Sequence, residues 1–466
     1  MNVRIKFLGG AKSVTGSKFL LEVDHLKILV DCGLFQGMKE LRLRNWNTLP
    51  IDPKEIHHVI ITHAHIDHTG YLPKLVKDGF NGQIHCTSAT RDLMRIMLLD
   101  AAKLQEEEAQ YAYKVGYSKH SRPAPLFTTG DAEAALHLIK HHPFDKVISL
   151  GNVRFSFSYA GHILGAASIQ IDVKSNQSKK SIVFSGDVGR YSDPLMFEPK
   201  ESIQADILLL ESTYGDRVNP MIDIEEKLIH IIHDAIQRSG CILVPAFAVG
   251  RTQSLLHSLY HLIESKKIPP IPIYVDSPMA ISVTDLYEKH GLLHRIKVEQ
   301  IGSELISLFD SPYIHFCNSV ESSKQLNDLS GPSIIISASG MCTGGRILHH
   351  LFHRLPREND TLLFVGYQAE GTRGRDILEG KKSIRIFGND IPVNCHVEEV
   401  HGLSAHADQE ELMKWISNIK DSPKMTFLIH GEVKSSQTLA NKIESEKKWS
   451  VIVPEYLESF ELFTGI

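Results

Sequence analysis

The chain has no Cys-x-x-Cys pair: its six cysteines (Cys32, Cys86, Cys241, Cys317, Cys342, Cys395) are scattered over 466 residues. That spacing argues against a disulfide framework and a zinc knuckle, and favours a reducing, cytoplasmic setting. Basic excess is lacking too. A formal net charge of -5 excludes a generally basic nucleic-acid coat, so any nucleic-acid contact has to rest on a local cleft and its bound ions. No apolar run, not even Cys241 to Val249, is long enough to span a bilayer, which excludes a membrane partner. The stretch Met1 to Gly9 reads as a strand, without the apolar core and cleavage site of a signal peptide. There is no internal repeat and no low-complexity segment. What is left is a globular composition, 42% hydrophobic and 23% charged, in a chain too long for one ordinary core.

The first part is rich in short strands: Val3–Leu8, Lys18–Val23, Lys27–Val30, His58–Ile61, Ile84–Thr87, Val153–Tyr159, Ser168–Asp172, Ser181–Ser185 and Ile207–Leu210. Ala89 to Tyr113 reads as a long helix, and Lys114 to Thr129 as a loop. After Tyr214 the rhythm changes to helices alternating with apolar strands. Asp223 and Glu226 form a capping-box pattern opening a helix to about Arg238. Strand Cys241–Val244, helix Arg251–Glu264, strand Ile273–Asp276, helix Met279–His290 and strands Ile334–Ser337 and Leu362–Val365 follow. Such βα spacing implies a parallel sheet covered by helices. The final part returns to the first style, with Val393–Val400 extended, His401 to Asp408 polar, helix Gln409–Ile419 and strand Met425–Ile429. One domain interrupted by an inserted α/β domain is the simplest account.

The densest chemistry lies in His63-Ala64-His65-Ile66-Asp67-His68, directly after the apolar run Val59-Ile60-Ile61. An extended strand holds alternate side chains on one face, so His63 and His65 are expected to point together, with the turn at Asp67-His68 aiming a second pair nearby. A lone histidine among the 26 is more simply a surface or core residue. Four hydrated groups in six positions beside a buried strand are costly to desolvate without a metal. The pattern of an apolar strand followed by a ligand-type residue then recurs at Asp31, His162, Asp187 and His430.

These residues resemble the metallo-β-lactamase-fold hydrolases, and specifically their β-CASP branch of nucleases. Asp31-Cys32-Gly33, the His63–His68 hexapeptide, His162 and Asp187 match the four lactamase motifs. Glu211 in Glu211-Ser212-Thr213-Tyr214-Gly215, His406 in Ser404-Ala405-His406-Ala407-Asp408, and His430 in His430-Gly431-Glu432 match the three further motifs. The cleavage-and-polyadenylation type is the most similar: the nuclease subunit of the eukaryotic pre-mRNA 3′-end factor and its compact bacterial and archaeal counterparts. The resemblance implies an αββα sandwich, residues 1–212 and 394–466, interrupted by a parallel-sheet α/β domain, residues 213–393.

Carried over residue by residue, the resemblance gives one zinc to His63, His65 and His162, and another to Asp67, His68 and His430. Asp187 bridges them and Asp31 orients ligands from behind. Imidazole and carboxylate without thiolate favour zinc while also suiting manganese. Paired metals, about 3.5–4 Å apart in such sites, can lower the pKa of a shared water and hold a phosphate for in-line attack. The products would carry 5′-phosphate and 3′-hydroxyl ends, with His406 as the general acid and Glu211 orienting it. Asp67 and Asp187 thus count with Glu211 and His406 among the catalytic residues. Single-stranded RNA is the implied substrate, because a histidine at the last motif accompanies the RNA-processing members. Internal cleavage is the main expected mode, with 5′–3′ trimming as a second. No additional RNA-binding domain is expected beyond that motif, so capture is expected in the cleft between the domains, aided by a homodimer partner or an RNA-processing subunit.

In the inserted domain, Val249-Gly250-Arg251-Thr252-Gln253 and Ser337 to Arg346 both run from a strand into a helix, where free N–H groups and arginine can hold an anion. Arg251, Thr252, Gln253, Ser339, Gly340, Met341 and Arg346 are therefore the expected phosphate contacts, extended by Gly366-Tyr367-Gln368 and the Gly371–Arg375 stretch. Two competing readings remain. A thioesterase or lactamase of the same fold would share the histidines but has no need of the inserted domain, Glu211 or His406. A non-catalytic scaffold subunit would have lost ligands, and every ligand is present.

Overall fold

The structure is a computed structural model that describes residues 2–115, 123–174, 179–201, 204–219, 224–296, 299–301, 304–306, 308–366, 368, 370–400, 402 and 404–465. The chain divides into two compact units. One comprises residues 1–192, 198–218 and 406–466, and the other residues 193–197 and 219–405. Asp223, Tyr367 and His401, singled out in the sequence, lie outside the described residues.

The first unit holds two seven-stranded sheets. One runs in the order Ser459–Phe463, Val3–Gly9, Lys18–Val23, Leu26–Val30, His58–Ile60, Gln83–Thr87, Ile139–His142. The other runs Val451–Ile452, Met425–Ile429, Ile207–Glu211, Lys179–Phe184, Ala167–Lys174, Val153–Tyr159, Ile148–Leu150. Alternate residues of the strands face inward, as in Val3, Ile5 and Phe7, and meet Phe155, Ile169, Phe184 and Phe427 of the other sheet in one core. Helices Gln409–Trp415 and Val433–Lys447 cover the outer face of the second sheet, packing Trp415, Leu439 and Ile443 on Leu208, Leu210 and Leu428. Helices Leu72–Lys77, Ser88–Val115 and Thr129–His137 pack with one another and against Gln83–Thr87 and Ile139–His142. This is the expected αββα sandwich.

Parallel pairing decides where the functional residues collect. Leu26–Val30 lies parallel to His58–Ile60 with Val30 opposite Ile60, and Ile207–Glu211 lies parallel to both Lys179–Phe184 and Met425–Ile429, with Glu211 opposite Ile429. Parallel neighbours end at the same sheet edge. Asp31, Asp187, Glu211 and His430, each at or just past the end of such a strand, are thereby gathered along one rim.

The other unit contains a six-stranded, wholly parallel sheet in the order Ile314–Phe316, Ile273–Val275, Ser333–Ser337, Cys241–Pro245, Thr361–Phe364, His396–Glu399. Its last strand falls within the segment expected to be extended over Val393–Val400. Other differences from the sequence reading are physical. Helix Val433–Lys447 buries small residues, Ser435, Ser436 and Ala440, beside Leu439 and Ile443, so it carries little apolar periodicity. Thr128 closes a capping box with Asp131, so a helix starts at Thr129 where a loop was expected to be ending. Among the described residues no helix is long and apolar enough to cross a membrane.

Three neighbouring strands of the first sheet carry a row of linked imidazoles. His58 Nδ1 lies 3.1 Å from His85 Nε2, and His85 Nδ1 lies 3.0 Å from His142 Nε2. Burial, then the imidazoles of His58 and His142 and the Lys140 ammonium, push His85 down to about 3. The unfolded chain takes up this proton near about pH 6.5, whereas the folded chain refuses it until far lower pH. The folded state therefore binds fewer protons in that window, and stability is lost as the pH is lowered. Between pH 6.5 and 4.5 the loss from this group is roughly 2 kcal/mol, or roughly 2–4 °C in melting temperature. Melting curves of metal-free His85→Gln protein should show a correspondingly flatter acid limb than those of the parent. Equal slopes would rule the row out as an acid-labile element.

Candidate active site

The hexapeptide converges by a different route from the one its spacing suggested. The strand ends at Ile60, and His63 and His65 lie in the following loop rather than on one strand face; His65 then caps a one-turn helix, Ile66–Thr69, that carries Asp67 and His68. The loop is held from behind. Asp31 accepts hydrogen bonds from the Thr62 backbone N–H (2.8 Å) and hydroxyl (2.9 Å), the Cys32 N–H donates to His68 O (2.7 Å), and the Ser17 N–H to Asp67 O (2.9 Å). Gly33 is required in this crossing, since a Cβ there would lie 1.5 Å from Asp67 O. Asp31 and His430 both adopt left-handed backbone, with φ of 58° and 49°. Such strain, about 1–3 kcal/mol per residue, persists where the surroundings over-determine it.

Two ligand sets result. In the first, His65 Nδ1 lies 3.0 Å from His63 Nε2 and 3.2 Å from His162 Nε2, while Asp187 Oδ2 lies 3.4 Å and 3.6 Å from the same two Nε2 atoms. In the second, His430 Nε2 lies 3.2 Å from both Asp67 Oδ2 and His68 Nε2, and Asp187 Oδ1 lies 3.4 Å from His68 Nε2. Asp187 thus turns one oxygen to each set, and both sets have the composition and closeness to hold a metal ion. Behind them, His68 Nδ1 meets Asp31 Oδ2 at 2.8 Å and His63 Nδ1 meets Thr62 Oγ1 at 3.1 Å, which leaves each Nε2 to face inward.

The electrostatics fit a divalent cation. Burial, then the charges of neighbouring imidazoles, holds His63 well below the ordinary histidine value. Burial also takes His65 down to about 4 despite Asp67. His68 goes the other way: burial opposes its charge, but Asp187 and Asp31 push it up to about 10. Burial raises Asp187, against the pull of His430 and His68, and its Oδ1 is buried without a hydrogen bond among the described residues. Three imidazoles linked through His65 and a second, separate pair, His68 and His430, around an unsatisfied buried carboxylate oxygen, cannot all be satisfied by protons. A cation accepting their lone pairs resolves both, and a set of nitrogen and carboxylate donors suits zinc or manganese.

Beside this cluster stands a second pair. Glu211 is fully buried and accepts a hydrogen bond from the Val188 N–H (2.6 Å); its Oε2 lies 3.2 Å from His406 Nδ1, which is itself 3.9 Å from Asp187 Oδ2. The Ala407 N–H, donating to Val188 O (2.8 Å), pins the loop that presents His406. Burial opposes charge on His406, yet Glu211, followed by Asp187 and Asp67, raises it to about 8. Glu211 itself, which burial would raise, is held below its ordinary value chiefly by His406. The site therefore places at its rim an imidazole whose charged form Glu211 favours.

Residues 15–220 match the metallo-beta-lactamase superfamily model, residues 252–377 the Beta-Casp domain model, and residues 390–454 that of the Zn-dependent metallo-hydrolase RNA specificity domain. The chain is 36% identical to ribonuclease TTHA0252 of Thermus thermophilus over 434 residues, covering 92% of this chain and 93% of that one. The chain belongs to the β-CASP branch of the metallo-β-lactamase superfamily. It is accordingly a metal-dependent hydrolase, and RNA is the substrate class named by its third domain model. It is also 31% identical to the transcription termination factor FttA of Pyrococcus horikoshii, covering 99% of this chain and 71% of that one. A protein of unknown function from Enterococcus faecalis V583 shares the fold, with a TM-score of 0.54 and 14% identity over 99% of this chain and 100% of that one.

Within the β-CASP unit, several expected phosphate contacts are occupied elsewhere. Gln253 is fully buried and its amide donates to Ala248 O (3.1 Å) and Thr284 Oγ1 (3.1 Å); the Thr252 hydroxyl donates to Phe247 O (2.8 Å). Gln368 is buried with its amide on Gly340 O (2.9 Å). Arg346 is tied to Asp276 Oδ1 (2.6 Å) and Cys317 O (2.9 Å), in a network where Asp276 also meets His350 Nε2 at 2.6 Å. These four side chains brace the sheet ends, a correction to the sequence reading: polar residues beside glycine turns satisfy local carbonyls before they reach solvent. Gly340 packs under Phe247, Ser339 Oγ lies 2.9 Å from Thr343 Oγ1, and Met341 and Arg251 are half-buried. Sequence reasoning missed Thr62 and Thr213. The signal for Thr62 was a hydroxyl directly before the first ligand.

Proposed function

We propose that this β-CASP protein is a two-zinc ribonuclease that hydrolyses single-stranded RNA, chiefly by internal cleavage, and leaves 5′-phosphate and 3′-hydroxyl ends. One metal would be held by His63, His65, His162 and Asp187, the other by Asp67, His68, His430 and Asp187, with Asp31 orienting His68. The observation that carries this reading is Asp187, whose two oxygens face two separate ligand sets. When bound, the two ions would activate a water and neutralise the phosphate in an in-line displacement. The chain's own part is to exclude other geometries. Buried Asp187 and the Asp31–Thr62 brace fix the ligands, and His406, kept protonated by Glu211, gives a proton to the departing 3′ oxygen. The ribonuclease name of the Thermus thermophilus relative supports RNA cleavage, and the archaeal relatives named as termination factors support a role in RNA processing. All six cysteines are free, which supports a reducing compartment such as the cytoplasm.

The test is metal analysis combined with product mapping. Purified protein should hold about two divalent ions per chain, as expected of a paired site, and cut unstructured RNA, and chelation should stop cleavage until zinc or manganese is restored. Protein that holds both metals yet leaves several RNAs intact while hydrolysing a thioester would sink the proposal. Ligation of adaptors that require a 5′-phosphate checks the end chemistry.

A further inference from the structure

We infer that Thr213 is the positioning residue that sets His430 for metal binding, so that one tripeptide, Glu211-Ser212-Thr213, serves both the proton donor and the metal site. The inference rests on the two-metal reading above. Thr213 Oγ1 lies 3.0 Å from His430 Nδ1 and 3.0 Å from the carbonyl oxygen of the same His430. A hydroxyl has one proton to give. Given to the carbonyl, it leaves the oxygen free to accept from Nδ1–H, and both contacts are satisfied. Given to Nδ1 instead, it leaves two oxygens facing each other at 3.0 Å with no proton between them. The arrangement therefore selects the tautomer with hydrogen on Nδ1 and the lone pair on Nε2, the atom that faces Asp67 and His68.

Backbone conformation makes the same demand. His430 adopts left-handed φ, and its own ring and carbonyl are both held by one hydroxyl, which closes the residue into that conformation. The His430 N–H donates to Gly10 O (2.7 Å), and the Ser212 hydroxyl donates to Ile429 O (2.9 Å). A Cβ at Gly431 would lie 2.2 Å from Ser212 Oγ, so the two segments cross closely here, and Asp187 Oδ1, 3.4 Å from His430 Nδ1, is a second acceptor for a proton on that nitrogen. Thr213 thereby does for His430 what Thr62 does for His63 and Asp31 for His68. Two residues earlier in the same tripeptide, Glu211 holds His406.

Zinc competition against a chromophoric chelator tests this in wild-type, Thr213→Val and Thr213→Ser proteins. The valine variant should keep the first equivalent at wild-type affinity and bind the second about 10–100-fold more weakly, the usual cost of losing a hydrogen bond behind a ligand. The serine variant, which keeps the hydroxyl, should restore the second equivalent. In excess zinc the alkaline limb of the serine variant's cleavage should stay in place, because its hydroxyl keeps the contact that Thr213 makes with Glu211. A wild type that binds fewer than two ions overturns the two-metal reading and the inference with it. If the wild type binds two and the valine variant matches it, or the serine variant is as weak as valine, Thr213 alone is overturned. Should the valine variant fail to fold, imidazole nitrogen resonances of the zinc-loaded wild type decide: the proton is expected on His430 Nδ1, and a proton on Nε2 overturns the assignment.

Discussion

Replacing Asp187 by alanine is expected to lower RNA cleavage by roughly three to four orders of magnitude and to leave no more than one tightly held metal ion per chain. Asp187 faces both ligand sets, with Oδ2 toward His63 and His162 and Oδ1 toward His68. Lewis-acid stabilisation of a phosphoryl group is worth several kcal/mol, which is the stated loss in rate. Asp187→Asn separates charge from shape, because the amide keeps the volume and one oxygen but not the charge that offsets two cations. It should fall between alanine and the parent in metal content. Single-turnover cleavage and metal analysis on the same preparations provide the check, with circular dichroism to confirm folding. An alanine variant that keeps both ions and cleaves within tenfold of the parent would remove the bridging role.

His406→Ala should lower the rate by about 10²–10⁴-fold with metal content unchanged, the range for loss of a general acid. The pH profile identifies the role more sharply. An acid works only while protonated, so the rate should fall as pH rises through the pKa of His406, which lies near 8 in the metal-free protein. Bound cations lower that value in the parent and in any variant alike. Glu211 is the chief group raising it, so Glu211→Gln should move the alkaline limb to lower pH by about 1–3 units while the pH-independent rate changes less. A limb that stays where it was would separate Glu211 from the proton donor. Loss of metal from His406→Ala would make His406 a ligand instead.

The site was legible in the sequence to the extent that it was local. His63 to His68 announces ligands because four metal-type side chains in six positions have no other economical use beside a buried strand. Asp31, His162, Asp187 and His430 repeated the form of an apolar strand followed by a ligand, and each lies where that form placed it. The anion sites in the β-CASP unit were read from the same kind of local cue and fared worse. Glycine turns with polar neighbours do not reveal whether those neighbours will face solvent, and Gln253, Gln368, Thr252 and Arg346 turn to Thr284, Gly340, Phe247 and Asp276. Helix Val433–Lys447 escaped notice because small buried residues carry no hydrophobic period.

The sequence by itself determined the donor types, their order, and the alternation that yields a sandwich interrupted by a parallel-sheet unit, because these follow from side-chain chemistry and from periods of two and 3.6 residues. Tertiary structure decided the rest. That Asp187 gives one oxygen to each ligand set, that Glu211 reaches His406 across 195 positions, and that Thr213 meets both the ring and the carbonyl of His430 all depend on the register of parallel strands far apart in the chain. Register is fixed by which apolar faces pack together, a property of the whole core rather than of any one segment.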